Sequence, residues 1–450
     1  MSRTTRTTQI FCVSTLYGAA TLAAALDSDL FEDADRRMLL VFNNSTTPET
    51  TPSVHEMPGF GPLRDHFDDV ALYNDAIRPF HPGAWSPRPD DLPLFERYLR
   101  LLWDLGDDRV ELVLESIQVN PALALAQMFT DAPVHVYADG LMSYGPTRNK
   151  LDPLVGTRVR RLLHLDLVPG LTPMLLTEFD VSAQVVPTQA FTKVLSSLTG
   201  ASGELPALPE NAALLLGQYL SALNILTPAE EEELHVRMMR GAVERGHRSV
   251  VFKPHPTAPA RYSLALEAEA EKLGVELTVI GSPVLAEVLF EKTRPALVVG
   301  CFSTALFTAS AFYDLPVARV GTEPLLDRLT PYQNSNRVPV TLADALLPEL
   351  SDQRDGSRDD LAVPAELLGG LVTAVGFTMQ PQIYPSLRPA VERFLAAHYG
   401  PRLQRYFKRR RLTSLGLPGG IPERLGFLPR NATARRVVRR ARALKKAVRR

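Results

Sequence analysis

The chain has 450 residues, of which 45% are hydrophobic and 22% charged, with only two cysteines. That length favours two or three domains and needs no staples, since a chain of this size buries roughly 75% of its unfolded surface. Cys12 and Cys301 exclude a disulfide framework and a cysteine-rich zinc site, and point to a reducing compartment. No apolar run reaches the about 18 residues of a spanning helix. The opening MSRTTRTTQIFCVST has no apolar core of secretory-signal length, so the expectation is a cytoplasmic protein.

The formal charge of −1 hides an asymmetry. Residues 401–450 carry 17 Lys and Arg against one acid, Glu423, whereas the other 400 residues carry 49 acids against 32 bases. An acidic body with a basic tail implies a polyanionic partner surface.

In chain order, alternating strands and helices come first. Strands are predicted at 9–14, 37–43, 111–114 and 134–137, and helices at 15–26, 93–105 and 121–129. The last two helices open on Pro93 and Pro121, where a missing N–H costs nothing. Residues 196–211 (SSLTGASGELPALPEN) read as a linker rich in Ser, Gly and Pro. A second set comes after it, with strands at 213–216, 249–252, 276–280, 296–299 and 317–320. Its helices fall at 228–245, 262–273, 284–291 and 303–313. Thr227 and Glu230 form a capping box for the first of these. Residues 351–361 read as a solvated loop and 388–398 as a helix.

The expected fold class is therefore α/β, with two Rossmann-like domains at 1–195 and 212–345. Residues 346–400 would form a loop and closing helices, and 401–450 a basic tail. A ligand cleft should lie between the halves at the C-terminal strand ends.

Three motifs point into such a cleft. VVFKPHP (250–256) runs a buried strand into a loop with Lys253 and His255, held between Pro254 and Pro256. A histidine there can bind a phosphate and protonate a leaving oxygen; the plain alternative is a turn histidine. LVVGCFSTAL (297–306) ends a strand at Gly300 and opens a helix at Ser303-Thr304. Backbone N–H groups and hydroxyls there make an anion site, unless Ser303 only caps its helix. VHVYADGLMSYGP (134–146) ends a strand at Asp139-Gly140. A partly desolvated Asp139 would serve as a base, and Gly140 would admit a substrate to the backbone. The alternative is an ordinary Asp-Gly turn.

In this order the motifs resemble the bacterial sialyltransferases, and most closely the bacterial alpha-2,8-polysialyltransferase family. Segments 163–175, 214–234 and 279–292 fit the same family, and the resemblance spans roughly residues 10–345. It implies a glycosyltransferase-B fold and inverting, metal-independent transfer of sialic acid from CMP-sialic acid to a glycan acceptor, with no cofactor. By position, Asp139 resembles the general base and His255 the general acid. Ser303 and Thr304 resemble the pair that hydrogen-bonds the CMP phosphate, with Lys253 beside them. Glu287 resembles the acid that binds the nucleotide ribose, and Gly217 and Gln218 resemble part of the nucleotide loop. Ser14 and Thr15 lie in a loop that faces the acceptor in the family, and Gly140 is a further acceptor-side candidate. One departure is Ala138, where the family often carries a second acid.

Other CMP-activated sugars, a further nonulosonic acid or Kdo, would share these contacts. A non-catalytic glycan- or nucleotide-binding protein at the membrane is the reading of another class. Asp27-Ser28-Asp29 and Asp33-Ala34-Asp35 have the Asp-x-Asp spacing of metal-dependent glycosyltransferases, but sit in a polar stretch and read as solvated surface. Residues 431–450 (NATARRVVRRARALKKAVRR) place Val437, Val438, Ala441, Leu444 and Val448 on one helical stripe among Arg and Lys. That pattern suits an anionic membrane, here the inner face of the plasma membrane. A solvated tail or a grip on an anionic glycan are the alternatives. Nucleic acid is not expected, since no aromatic residues interleave the charges.

Overall fold

The computed structural model describes residues 6–138, 140–203, 209, 211–255, 258–351 and 363–421. The base candidate Asp139, Pro256, nearly all of the 351–361 loop and the helix expected at 431–450 lie outside the described residues.

Two parallel sheets organise the chain. The first contains β1 (Thr7–Val13), β2 (Arg36–Val41), β3 (Asp69–Leu72), β4 (Arg109–Glu115), β5 (Val134–Ala138), β6 (Val159–Leu165) and β7 (Ser182–Val186). Their order is β3-β2-β1-β4-β5-β6-β7. The second contains β8 (Ala213–Leu216), β9 (Ser249–Lys253), β10 (Glu276–Val279), β11 (Leu297–Gly300) and β12 (Val317–Arg319), in the order β10-β9-β8-β11-β12. The expected pair of Rossmann-like domains is what the strand orders show.

The strands form because their apolar runs are covered on both faces, as in other parallel sheets. In β1, Phe11 and Val13 enter one core while Ile10 and Cys12 enter another on the opposite face, the period of two that a strand imposes. The first of these cores runs on without a break into the second domain. Tyr17, Phe191 and Phe312 form an edge-to-face aromatic ladder between the halves, with centroids 5.1 and 5.9 Å apart.

The structure departs from the sequence reading in three places. The sequence pattern does not predict β3, β6 or β7: β3 has four residues, β6 opens on Val159-Arg160-Arg161, and β7 is a half-exposed edge. The helix Thr188–Ala201 runs through the first six residues of the stretch that reads as linker. Its buried stripe of Phe191, Val194, Leu195 and Leu198 outweighs the serines and glycine that suggest a loop.

The third departure is a correction to the basic tail. Residues 401–421 are folded, with Leu403, Tyr406, Leu412 and Leu417 buried. Arg411 Nε donates to Thr378 O at 2.7 Å, Lys408 Nζ to Leu329 O at 3.2 Å, and Arg405 pairs with Asp344 at 2.8 Å. These bases are used within the fold and are not a free polycation. Just before them, Tyr384 crosses back to the first domain, where its hydroxyl meets Thr147 Oγ1 at 3.1 Å and Glu178 Oε2 at 2.9 Å.

Candidate functional site

In each sheet the strand order reverses once, between β1 and β4 and between β8 and β11. Ligands of open α/β sheets bind outside the strand C-termini at such points. At the first, the backbone N–H and hydroxyl of Ser14 donate to Glu115 Oε2 at 3.0 and 2.6 Å. Thr15 caps the helix Leu16–Asp27, accepting from Gly18 N at 2.9 Å. Both side chains named as acceptor candidates thus serve the scaffold here, and Thr15 stays exposed.

At the second reversal, Gln218 joins the two strand ends. Its Oε1 accepts from Phe302 N at 3.3 Å, and its own N–H donates to His235 Nε2 at 3.4 Å. Gly217 N donates to Lys253 O at 2.9 Å. A Cβ on Gly217 would lie 2.9 Å from Phe252 Cζ and 3.1 Å from Pro254 Cα, so only glycine lets the Lys-Pro-His turn come this close.

Glu231, which the sequence pattern hides within a run of glutamates, anchors the same loop. It is fully buried, and accepts from Leu220 N, from Ser221 N at 2.9 Å and from Tyr262 Oη at 3.0 Å. Its one signal is position, one turn past the capping box on the face that carries Leu234 and His235. His235 sits beneath the loop, its pKa pushed down to about 4 by burial against the opposing pull of Glu231. It is a neutral acceptor for Gln218.

Lys253 ends β9 and is half-buried. Burial lowers its pKa and the charge of Glu287 opposes that. Glu287 is 3% exposed, and burial raises its pKa to about 7 against its own N–H, Lys253 and a hydrogen bond to Thr308. In the free protein this carboxylate therefore stands behind Lys253 rather than at the surface. His255 is exposed, with its ring 6.4 Å from that of Tyr219. Desolvation by the surrounding protein, then the Lys253 ammonium, hold its pKa below the ordinary histidine value, while Glu231 pulls upward. Desolvation and the ammonium both favour the neutral imidazole.

Ser303 caps the helix Thr304–Tyr313, accepting from Ala305 N at 3.3 Å. The cap does not exhaust the site, because Thr304 meets the other domain. A Cβ on Gly140 would lie 3.1 Å from Thr304 Oγ1. The residue after Asp139 therefore faces the Ser-Thr pair across the interdomain boundary. One helical turn on, Thr308 Oγ1 lies 3.0 Å from Tyr17 Oη of the first domain.

The turn carries one ammonium and one imidazole, and Ser303-Thr304 carries two hydroxyls at a helix N-terminus, groups whose chemistry suits an anion. The structure brings Gly217, Gln218, Lys253 and His255 together around the end of β9, and Gly140 against Thr304. Of the Asp-x-Asp pairs, Asp27 bonds His66 at 2.9 Å and Asp35 caps Thr7 N at 2.7 Å. Among the described residues no group of three or more His, Cys, Asp or Glu is placed to hold a metal ion.

The family model described as alpha-2,8-polysialyltransferase matches residues 9–322. No curated protein matches the chain. Among solved structures, the glycosyltransferase-B domain of a sialyltransferase from Photobacterium damselae is similar at 12% identity. The match covers 76% of this chain and 98% of that one, with a TM-score of 0.38. MurG from Acinetobacter baumannii is similar at 12% identity over 86% and 95% of the two chains, with a TM-score of 0.40. Likeness at this level does not bear on the reaction or the substrate.

Proposed function

The chain belongs to the alpha-2,8-polysialyltransferase family and is a glycosyltransferase, and from that premise we propose that it transfers sialic acid from CMP-sialic acid to a glycan acceptor, with inversion and without a metal ion. Asp139 takes the proton of the acceptor hydroxyl, whose oxygen attacks the anomeric carbon as the bond to the CMP phosphate breaks. Charge develops on the departing phosphate, and the catalyst must already be arranged to receive it. His255, protonated as the anion seats, donates to that phosphate. Ser303 and Thr304 hydrogen-bond its oxygens at the helix N-terminus, Lys253 adds positive charge, and Glu287 takes the ribose hydroxyls. Gly217 and Gln218 hold the nucleotide loop. Ser14 and Thr15 shape the acceptor side.

The observation that carries this reading is the approach of Gly140 to Thr304, which supports a base and a phosphate seat on opposite walls of one cleft. Incubation of the purified protein with CMP-sialic acid and a panel of sialylated acceptors tests it. Transfer with CMP release, unaffected by a chelator, is the expected result. Folded protein that gives neither product sinks the proposal.

We also propose surface or capsular polysaccharide as the product, made at the inner membrane face. Among the described residues no helix is long and apolar enough to cross a membrane. The basic stripe at 431–450 supports peripheral attachment, since each base near an anionic surface contributes about 1 kcal/mol. Truncation after residue 430 should abolish co-sedimentation with anionic vesicles, and a truncated protein that still pellets refutes the anchor.

A further inference from the structure

A polar cavity of about 690 Å³ lies within the first domain, beyond the C-terminal ends of β2 and β3. Its size is in the range of roughly 300–1,000 Å³ usual for small-ligand sites. Its described lining residues all fall within 41–81, apart from every motif assigned above.

The walls are built by hydrogen bonds of the protein itself. Asn43, 9% exposed, donates from Nδ2 to Pro48 O at 3.2 Å and to Thr51 O at 2.8 Å, and accepts the Ser45 hydroxyl at 2.8 Å. Asn74 clasps the Asn43 backbone from both sides, accepting its N–H at 2.9 Å and donating to its carbonyl at 3.0 Å. His81 Nε2 lies 2.9 Å from Ser45 O. The Ser- and Thr-rich loop 43–53 is thereby fixed to the ends of both strands.

Charge decides what kind of ligand fits. Three carboxylates line the cavity, Glu49, Glu56 and Asp75, against one guanidinium, Arg78. Such a site repels a polyanion. Two of the carboxylates are already engaged, Glu56 by Ser53 N at 2.7 Å and Asp75 by Arg78 at 3.3 Å. That leaves too little negative charge to hold a polycation. The side chains of Glu49 and His55 form no hydrogen bond or ion pair with another described residue. Ligand hydroxyls satisfy both: an ionised carboxylate accepts two of them, and an imidazole accepts or donates one.

The remaining signal is Phe80. Its ring lines the cavity yet is 56% exposed, and it lies nearly parallel to Trp85, with centroids 6.1 Å apart and 19° between the planes. Trp85 is in turn held edge-on by Phe95 at 5.0 Å. A large ring held in place yet wet, among carboxylates and carboxamides, is an apolar platform rimmed by hydrogen-bonding groups. A neutral pyranose has the matching form, one face of C–H bonds and an edge of hydroxyls.

The cavity adjoins the acceptor side of the proposed cleft. Val13 and Val41 are paired across β1 and β2, and Phe42 N donates to Val13 O at 2.8 Å. The loops that carry Ser14-Thr15 and Asn43 thus leave adjacent strands at the same end, about 5 Å apart. Resting on the sialyl-transfer reading, we infer that this cavity binds neutral hexose units of the acceptor glycan, stacked on Phe80 with their hydroxyls on Glu49 and His55. The chain then prefers acceptors in which sialic acid is joined to neutral sugars over bare sialic acid oligomers.

Two arms test this with the full chain. In the first, lactose is the neutral probe and tryptophan emission the readout, because the two tryptophans are Trp85 and the buried Trp103. Lactose should change the emission saturably, and disialic acid should not. Phe80→Ala should weaken lactose about tenfold or more, and Glu49→Gln about threefold. Calorimetry gives the same affinities without the reporter. In the second arm, initial rates compare sialyl-lactose with α2,8-linked sialic acid oligomers as acceptors. Phe80→Ala should cut the kcat/KM preference for sialyl-lactose about tenfold, through KM rather than kcat. No lactose binding to wild type, or binding within about twofold of wild type in both variants, overturns the site. A lysine-rich peptide that binds there when lactose does not assigns the cavity to a cationic partner and overturns it equally. Lactose binding without any preference for sialyl-lactose refutes the role in acceptor choice. If wild type neither transfers nor releases CMP, the transfer reading fails by itself, and the lactose arm decides whether the cavity is a sugar site. If Phe80→Ala does not fold, Phe80→Leu and Glu49→Gln decide on the same readouts.

Discussion

The two sheets share one strand order around their reversals, β3-β2-β1-β4-β5 and β10-β9-β8-β11-β12, yet close those reversals with opposite chemistry. In the first domain a carboxylate does it, Glu115 holding Ser14. In the second a neutral carboxamide does it, Gln218 holding Phe302 N. β5, beside β4, ends at Ala138, whereas β9, on the other side of its reversal beside β8, ends at Lys253 and runs into Pro254-His255. A carboxylate repels a phosphate and an ammonium attracts one. On the proposed reading, that difference in local charge assigns the leaving group to the second half and the acceptor hydroxyl to the first.

The sharpest way to break that division is to remove each half's proton carrier. His255→Ala should lower kcat by about 10²–10⁴-fold, the usual worth of general acid–base catalysis, with a modest loss of CMP affinity. Asp139→Asn should lower kcat by a similar factor and leave the CMP dissociation constant as it was. Calorimetric titration with CMP beside steady-state rates checks both. Equal weakening of CMP by the two substitutions would show that the halves do not divide the work as charge suggests.

Glu287, in the second domain, gives the next largest effect. Burial raises its pKa to about 7 in the folded protein, above the ordinary carboxylate value of 4.5. The folded state therefore holds a proton that the unfolded chain has lost, so stability falls as pH rises from about 4.5 to about 7. The full difference is about 3 kcal/mol. Glu287→Gln should flatten this dependence, so the wild-type melting temperature should drop between pH 5 and 8 more than that of the variant. Parallel pH profiles would show that the carboxyl is not the titrating group.

Two glycines sharpen the comparison at lower energy. Gly217→Ala drives a methyl into the Phe252 ring and the backbone of Pro254, an overpacking cost of about 1–3 kcal/mol. Because the displaced turn carries Lys253 and His255, the donor KM should rise while the acceptor KM holds. Gly140→Ala meets only the Thr304 hydroxyl, which has rotational freedom, so its penalty should be smaller. Steady-state kinetics and melting temperatures of the two variants give the order. A larger effect from Gly140→Ala would mean that the interdomain contact is tighter than the intradomain one.

The same physics decides which parts of the molecule are legible in the sequence. The strands that end in motifs are legible because they are unbroken apolar runs, as in Ala213–Leu216 and Leu297–Gly300. The capping box at Thr227 is legible because its bonds are local: Glu230 N donates to Thr227 Oγ1 at 3.3 Å. β6 is hidden by Arg160 and Arg161, and Arg161 is accommodated by stacking over Phe31 at 5.0 Å and by bonding His135, partners far away in sequence. Glu231 is hidden for a related reason. A carboxylate that anchors a loop is defined by what surrounds it in space, which no local spacing encodes. The folded part of the basic tail escapes sequence reading because Tyr406 and Leu412 are few among many arginines, and only packing shows that they anchor it.

The smallest effect concerns the hydrogen-bond chain that joins the halves. Tyr17 Oη lies 3.0 Å from Thr308 Oγ1, which also bonds the Glu287 carboxyl and lies 3.3 Å from Thr304 O. The Thr308 hydroxyl has one proton, so it can donate to only one of these at a time. When Glu287 is ionised, Thr308 donates to it and accepts from Tyr17. When Glu287 is protonated, Thr308 is free to donate to Thr304 O. In both states the proton of Thr308 is used within the second domain, so Tyr17 donates to Thr308 whatever the charge of Glu287. Tyr17→Phe keeps the ring against Phe191 and deletes the hydroxyl, so the cost should be about 1 kcal/mol. The loss should be about the same at pH 5 and pH 8, because Tyr17 is the donor at both. Melting curves at the two pH values measure it, and a loss much larger at pH 8 would mean that the charge of Glu287 strengthens the bond through Thr308.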